Sequence, residues 1–206
     1  RVFLVHQPSA KENGLPSSIH DLADPKWKHQ CGMARPLFGT SATHAAVLFA
    51  QWGTDRATEY YQQVHRNSRI YSGNRQVAEA VAKGEVTFGI TDTDDAIIQI
   101  ERGAPVAIVF PDQGSESLGT LLIPNTVCLL RGSRHQEAAE RLAAHLLSSK
   151  VESQLAKGSS AQIPLRKDVT VRSRIAPKEF DVMAVDFAAA AEVWSIAAEK
   201  LRQIFH

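Results

Sequence analysis

The sequence predicts an α/β protein. Three observations carry that expectation. Short β-prone apolar runs alternate with longer stretches whose apolar residues recur at helical spacing. The longer stretches open on capping residues (Thr54-Asp55, Asn74, Ser133), and several close near a glycine (Gly53, Gly84, Gly103). In GITDTDDAI, residues Gly89 to Ile97, a β-prone run passes into an apolar helical pattern through three carboxylates and two threonines.

The elements follow in order. Arg1 to Val5 (RVFLV) is a strand, and a Pro-, Ser- and Gly-rich stretch runs from Gln7 to Ser17. Ser18 to Leu22 is a short helix that ends at Asp24-Pro25. Residues 30 to 34 form a strand. Pro36 to Thr40 is a turn into a helix over about Ser41 to Trp52, with Gly53 as its C-terminal cap. Thr54-Asp55 caps a helix reaching about Arg66. Arg69-Ile70-Tyr71 is a strand, and Asn74 caps a helix to Lys83. Val86 to Ile90 is the strand before the acids, and the helix after them ends near Gly103. Pro105 to Phe110 is a strand, and Pro111 to Ser117 is the clearest linker in the chain.

Beyond the linker the pattern shifts. Gly119 to Leu130 predicts two strands interrupted at Pro124-Asn125. Ser133 caps an amphipathic helix with Ala139, Leu142, Ala143, Leu146 and Leu147 on one face. A second short helix covers about Lys150 to Lys157, and Ile163 to Arg166 is extended. The last helix runs from Asp186 to about Phe205, with Phe187, Ala190, Trp194, Ala197, Leu201 and Phe205 along its apolar side.

Composition narrows the function classes. The chain has 206 residues, 44% of them hydrophobic and 22% charged, as expected of a soluble globular protein with one or two domains. A formal net charge of +1 is too balanced to suggest nucleic acid or an anionic membrane as a partner. No apolar run is long enough to span a bilayer. The first residue already lies in a strand, which suggests a mature or trimmed chain. The two cysteines, Cys31 and Cys128, lack zinc spacing and read as buried free thiols; a disulfide between them would imply an oxidising compartment.

Several residues carry candidate binding chemistry. Asp92, Asp94 and Asp95 lie where a strand becomes a helix, the place at which open α/β sheets hold their ligands. They can cap or complement the helix start, or they can face a cation or ligand hydroxyls. Three acids are more than capping requires. Gly39, Thr40 and Ser41 open a long helix, where free N–H groups suit an anion, although a plain N-cap uses the same residue types. Arg35 is placed to pair with an anionic ligand or with the acids, or simply to face solvent. Eight histidines are scattered without HExxH spacing, and His44, one turn into the same helix, lies near the turn. No nucleophile elbow, phosphate-binding loop or GxGxxG occurs, so nothing in the sequence supports an enzyme.

The order of segments resembles a known family. DLADPKWK, then RPLFGTSATHAAV, IYSGNRQVAEAVAKGEV, GTLLIPNTVCLLRGSRHQEAAERLAAHLLSS and SAQIPLR, with Trp194 in the closing helix, is similar to the bacterial iron(III)-type solute-binding proteins of ABC importers. The resemblance covers essentially all of the chain. It implies a type II periplasmic-binding-protein-like α/β fold of two lobes that close by a hinge, a secreted protein, and a membrane permease as partner, with no stable membrane insertion. It implies that residues 1–112 and 166–206 form the second lobe and 113–165 the returning part of the first, most of which would lie outside these residues. Cys31 and Cys128 then fall on strands of different lobes and are not bonded. In ferric members two adjacent tyrosines ligate iron; the matching positions here are Asp94 and Asp95, and Tyr60-Tyr61 lies inside the preceding helix.

The resemblance also places Asn74 at a ligand-facing position. No cofactor is required, and the expected cargo is a small polar solute: ferric iron or a metal–anion complex, a sugar phosphate or a phosphonate. The alternative is the effector-binding domain of a transcription regulator, which shares the fold and would follow a helix-turn-helix.

Overall fold

The computed structural model describes residues 1–206. Its elements run β1 (Val2–His6), α1 (Gln7–Asn13), two 3-10 turns (Ile19–Leu22 and Pro25–Trp27), β2 (Cys31–Ala34), α2 (Gly39–Trp52), α3 (Thr54–Asn67), β3 (Arg69–Tyr71), α4 (Asn74–Ala82), β4 (Phe88–Thr91), α5 (Thr93–Glu101), β5 (Val106–Val109), α6 (Gln136–Leu146), α7 (Ser149–Lys157), α8 (Phe187–Glu192) and α9 (Trp194–Ile204). The five strands make one sheet in the order β3-β2-β4-β1-β5. β2 is parallel to β3 and β4, whereas β1 runs antiparallel to both of its neighbours.

The parallel strands are buried throughout in β2 and β4, as sheets covered on both faces require. Phe3, Trp27, Phe49, Tyr61, Phe88 and Leu201 belong to one apolar cluster around the sheet. Gly89 at the middle of β4 lets α4 lie directly on the strand. A Cβ there would stand 2.4 Å from Val77 Cγ1 and 3.0 Å from the Gly32 carbonyl. That close approach fixes where α4 begins, and therefore where Asn74 stands.

Three local expectations are corrected. The Pro-, Ser- and Gly-rich stretch, for which no element was expected, holds a helix over Gln7–Asn13. Pro8 lies in its first turn, where a missing N–H costs nothing, and Gly14 ends it at φ 88°. Gly119 to Leu130 contains no strand; only Thr120 forms a bridge, with Val182. A β-prone run needs a ladder partner, and no strand lies beside the rest of it. The closing helix breaks at Val193 (φ −90°, ψ 1°). The break lets α8 give Ala190 to a cluster with Leu121 and Met183, while α9 gives Ala197 and Leu201, and Phe205 just after it joins them in the main core.

Residues Arg1–Ile123 and Phe180–His206 make one compact unit, and Pro124–Glu179 makes a second. The second unit contains α6 and α7. Its Ser148 caps α7 by accepting from the Val151 N–H at 3.4 Å, and Glu152 accepts from the Leu165 N–H at 2.7 Å. The expected apolar face of α6 leaves Leu142 and Leu146 largely exposed. Its start differs from expectation: Gln136 opens it, His135 stands at the cap position, and Ser133 makes no cap.

Candidate functional site

Parallel neighbours β3, β2 and β4 each run into a helix at the same end, so the N-termini of α4, α2 and α5 gather at one edge of the sheet. None of the three carries a side-chain cap. The cap positions are Gly73, Phe38 and Asp92, and no side chain there bonds to its own helix. The first backbone bonds close only at Val77, Ala42 and Ala96, which leaves the first N–H groups of each helix without helical partners. Side-chain caps occur at Ser18, Asp24, Ser148 and Asp186, while α1, α3, α6 and α9 also begin without one, so what distinguishes the three helices is that their N-termini share one edge.

What holds the edge together is a residue that sequence reasoning passed over. The guanidinium of Arg1 is buried beneath it. Nη1 donates to Asp92 Oδ1 at 2.5 Å and to Thr40 Oγ1 at 2.9 Å; Nη2 donates to Asn74 Oδ1 at 3.2 Å and to Ser41 Oγ at 3.3 Å. The side chain of Arg1 is 2% exposed and that of Asp92 25%. Thr40 donates to Asp92 Oδ2 at 2.7 Å, and Asn74 Nδ2 donates to the same oxygen at 2.7 Å and to Thr40 at 2.9 Å. Thus Thr40, Ser41, Asn74 and Asp92, all candidates from sequence, are brought into one network. Gly39 is exposed at the first position of α2, with φ 60°.

Strand register explains the pairing. β1 pairs antiparallel with β4, Val2 opposite Thr91. One step further along the same ladder puts Arg1 opposite Asp92. The sequence signal was an arginine at the start of a strand, which means nothing until that strand's partner is known. Arg35, which could have paired with the acids or simply faced solvent, is exposed.

The three acids divide. Asp92 sits at the cap position of α5 but spends its carboxylate on Arg1, Thr40 and Asn74. Burial alone would raise its pKa; Arg1 and the Thr40 hydrogen bond overcome that and hold it below the usual carboxylate value. Asp94 is exposed and Asp95 half-buried in the first turn of α5, and neither has a hydrogen-bond or ion-pair partner. Burial, then the charges of Asp94 and Asp92, push Asp95 up to about 6. Oxygens of all three acids lie within 4.8 Å of one another, close enough to share a cation.

Tyr60 and Tyr61 are buried in α3, Tyr60 donates to the Ile19 carbonyl at 2.8 Å, and burial raises both phenols. They are core residues. His44 is buried on α2. Cys31 and Cys128 are both free; Cys31 is buried with its thiol pushed up to about 11 by desolvation, whereas Cys128 is exposed, against the expectation of burial. Asn74 opens α4 but does not cap it.

The model of a family described as "Bacterial extracellular solute-binding protein" matches residues 2–158. The chain belongs to that family. Among relatives, it is 28% identical over 160 residues to the Salmonella typhi protein named "Putative 2-aminoethylphosphonate-binding periplasmic protein", covering 75% of this chain and 47% of that one. Iron-bound HitA from Pseudomonas aeruginosa superposes with a TM-score of 0.83 at 25% identity, over 100% of this chain and 66% of HitA. The periplasmic binding protein AfuA from Actinobacillus pleuropneumoniae, with fructose-6-phosphate bound, gives 0.74 at 23% identity, over 98% and 65%. The fold is that of the type II periplasmic binding proteins, as the resemblance implied. The chain spans less than half the length of the curated relatives it matches. No helix is long and apolar enough to cross a membrane.

Proposed function

We propose that this chain supplies one wall of the solute site of an ABC importer's binding protein, working outside the cytoplasm and performing no chemistry. The observation that carries the reading is the edge itself: three uncapped helix N-termini beside two unpaired carboxylates. The free N–H groups and aligned dipoles suit a phosphonate, phosphate or carboxylate group. Asp94 and Asp95 suit an ammonium group, a sugar hydroxyl or a metal ion carried as cargo. Arg1 neutralises Asp92, so that carboxylate does not repel the anion. A solute with both polarities fits: an aminophosphonate, a sugar phosphate or a metal–anion complex. Of these the aminophosphonate uses both halves of the edge most directly, and the curated relatives support it. In this reading residues 1–112 and 166–206 are the second lobe, 113–165 return to the first, and a permease receives the solute.

The test is a calorimetric titration of the full protein with 2-aminoethylphosphonate, ethylphosphonate, fructose-6-phosphate and ferric citrate. The expected result is a preference of about tenfold for the aminated over the plain phosphonate, the worth of one charge-assisted hydrogen bond. Asp94→Asn with Asp95→Asn should erase that preference. Absence of binding to every one of the four solutes would end the reading.

A further inference from the structure

Two buried side-chain atoms have no hydrogen-bond partner among the protein's own atoms: Nε of Arg1 and Nε2 of His44. The other guanidinium nitrogens of Arg1 are fully engaged by Thr40, Ser41, Asn74 and Asp92. Both orphans belong to residues that line the same small cavity, walled also by Leu22, Met33, Ser41, Tyr60, Tyr61 and Ile90. About 10 Å³ of it is open to the centre of a water molecule. That is the room one water takes, and a buried water needs two to four polar neighbours.

The two atoms are chemically complementary. Arg1 Nε–H can only donate. Burial, and then the nearby guanidinium, hold the His44 pKa well below its usual value, so the ring is neutral and one of its nitrogens accepts. They do not bond directly. One water can accept from Arg1 Nε–H and donate to His44 Nε2, with Ser41 and Tyr61 on the same walls for its remaining valences. A dry cavity would instead strand a charged donor and a ring nitrogen together.

We propose that one ordered water fills this cavity, bridges Arg1 Nε to His44 Nε2, and makes His44 the positioning residue for the Arg1 guanidinium. The bridge holds the guanidinium plane from behind while Thr40, Ser41, Asn74 and Asp92 hold it from the front. Its orientation is what keeps the Asp92 carboxylate away from the N-terminus of α5. The inference stands whatever solute the edge binds.

Two measurements on the full protein test it. A crystal structure at a resolution that defines ordered water should show one oxygen within hydrogen-bond distance of both nitrogens; a dry cavity overturns the proposal. Proton exchange at the Arg1 Nε–H, followed by nitrogen-15 NMR, should be about tenfold faster in His44→Phe, reflecting loss of one hydrogen bond to a charged group. His44→Gln, which keeps an acceptor, should restore slow exchange. Unchanged exchange in His44→Phe removes the positioning role. Should His44→Phe not fold, the glutamine variant decides alone: a retained water with slow exchange supports the bridge, and fast exchange overturns it.

Discussion

Asp92 and Asp95 are three residues apart on one turn, yet the protein treats them oppositely. Asp92 is paired with a buried arginine, accepts from two further helices and is held below its usual pKa. Asp95 has no partner and is pushed up to about 6. Local sequence does not distinguish them, since both are aspartates at a helix start. The register of β1 against β4 does, because it delivers one guanidinium to one position. Asp92 therefore belongs to the scaffold of the edge, and Asp94 and Asp95 are left as its free charge.

The contrast can be broken hardest at Arg1. Arg1→Met leaves Asp92 partly buried without its countercharge, and denaturant unfolding should show a loss of about 3 kcal/mol. Adding Asp92→Leu should recover much of it; a loss below about 1 kcal/mol in the single variant would mean that the pair behaves as a surface ion pair. Next in size is Gly89→Ala. Its Cβ would meet Val77 at 2.4 Å and the Gly32 backbone at 3.0 Å, so α4 must shift, at a cost of about 1–3 kcal/mol by the same assay. That variant should also loosen Asn74 from Thr40 and Asp92, visible as faster side-chain amide exchange at Asn74. At the other extreme, Asp94→Asn with Asp95→Asn should not destabilise the protein: neither acid has a partner to lose, and above about pH 6 the variant should be somewhat more stable, because it removes the burial and charge repulsion that push Asp95 up to about 6. A collapsed melting temperature would place them in the scaffold with Asp92.

The finest effect is in pH, where the two acids have opposite signs. Asp95 has a folded pKa of about 6, above the unfolded value of about 3.9. Between those values the folded state keeps a proton that the unfolded chain has lost, so this group makes stability fall as pH rises from about 4 to about 6. Asp92 is shifted down, so its contribution is full above the unfolded value and disappears as pH falls through its lowered folded pKa. Unfolding free energies measured across that range should show the Asp95 slope vanish in Asp95→Asn and shrink without vanishing in Asp94→Ser, because burial still raises Asp95 once the Asp94 charge is gone. Binding of an ammonium group or metal at Asp95 should strengthen as pH rises through about 6, for the same reason.

How far the sequence reached depends on the distance over which each feature is decided. The alternation of strands and helices, the positions of β2, β3 and β4, and the end of α2 at Gly53 are local choices of backbone, and local residues state them. Thr40, Ser41 and Asp92 are candidates because each stands where a strand gives way to a helix, and Asn74 is one through the family resemblance; parallel neighbouring strands carry such places to one edge. Several features escaped, and three of them show why. The helix Gln7–Asn13 looks like a loop because a proline in a first turn reads the same as a proline in a turn. The β-prone run after Gly119 lacks a strand because pairing needs a partner the run cannot name. Arg1 escaped because its partners are 39 to 91 residues away. What the sequence determined by itself is which residues end strands and begin helices, since those are steric and hydrogen-bonding preferences of a few neighbouring residues. What only the tertiary structure decided is which of three adjacent carboxylates is neutralised. That depends on a buried arginine reaching one oxygen at 2.5 Å, and only the packing of distant strands sets such a distance.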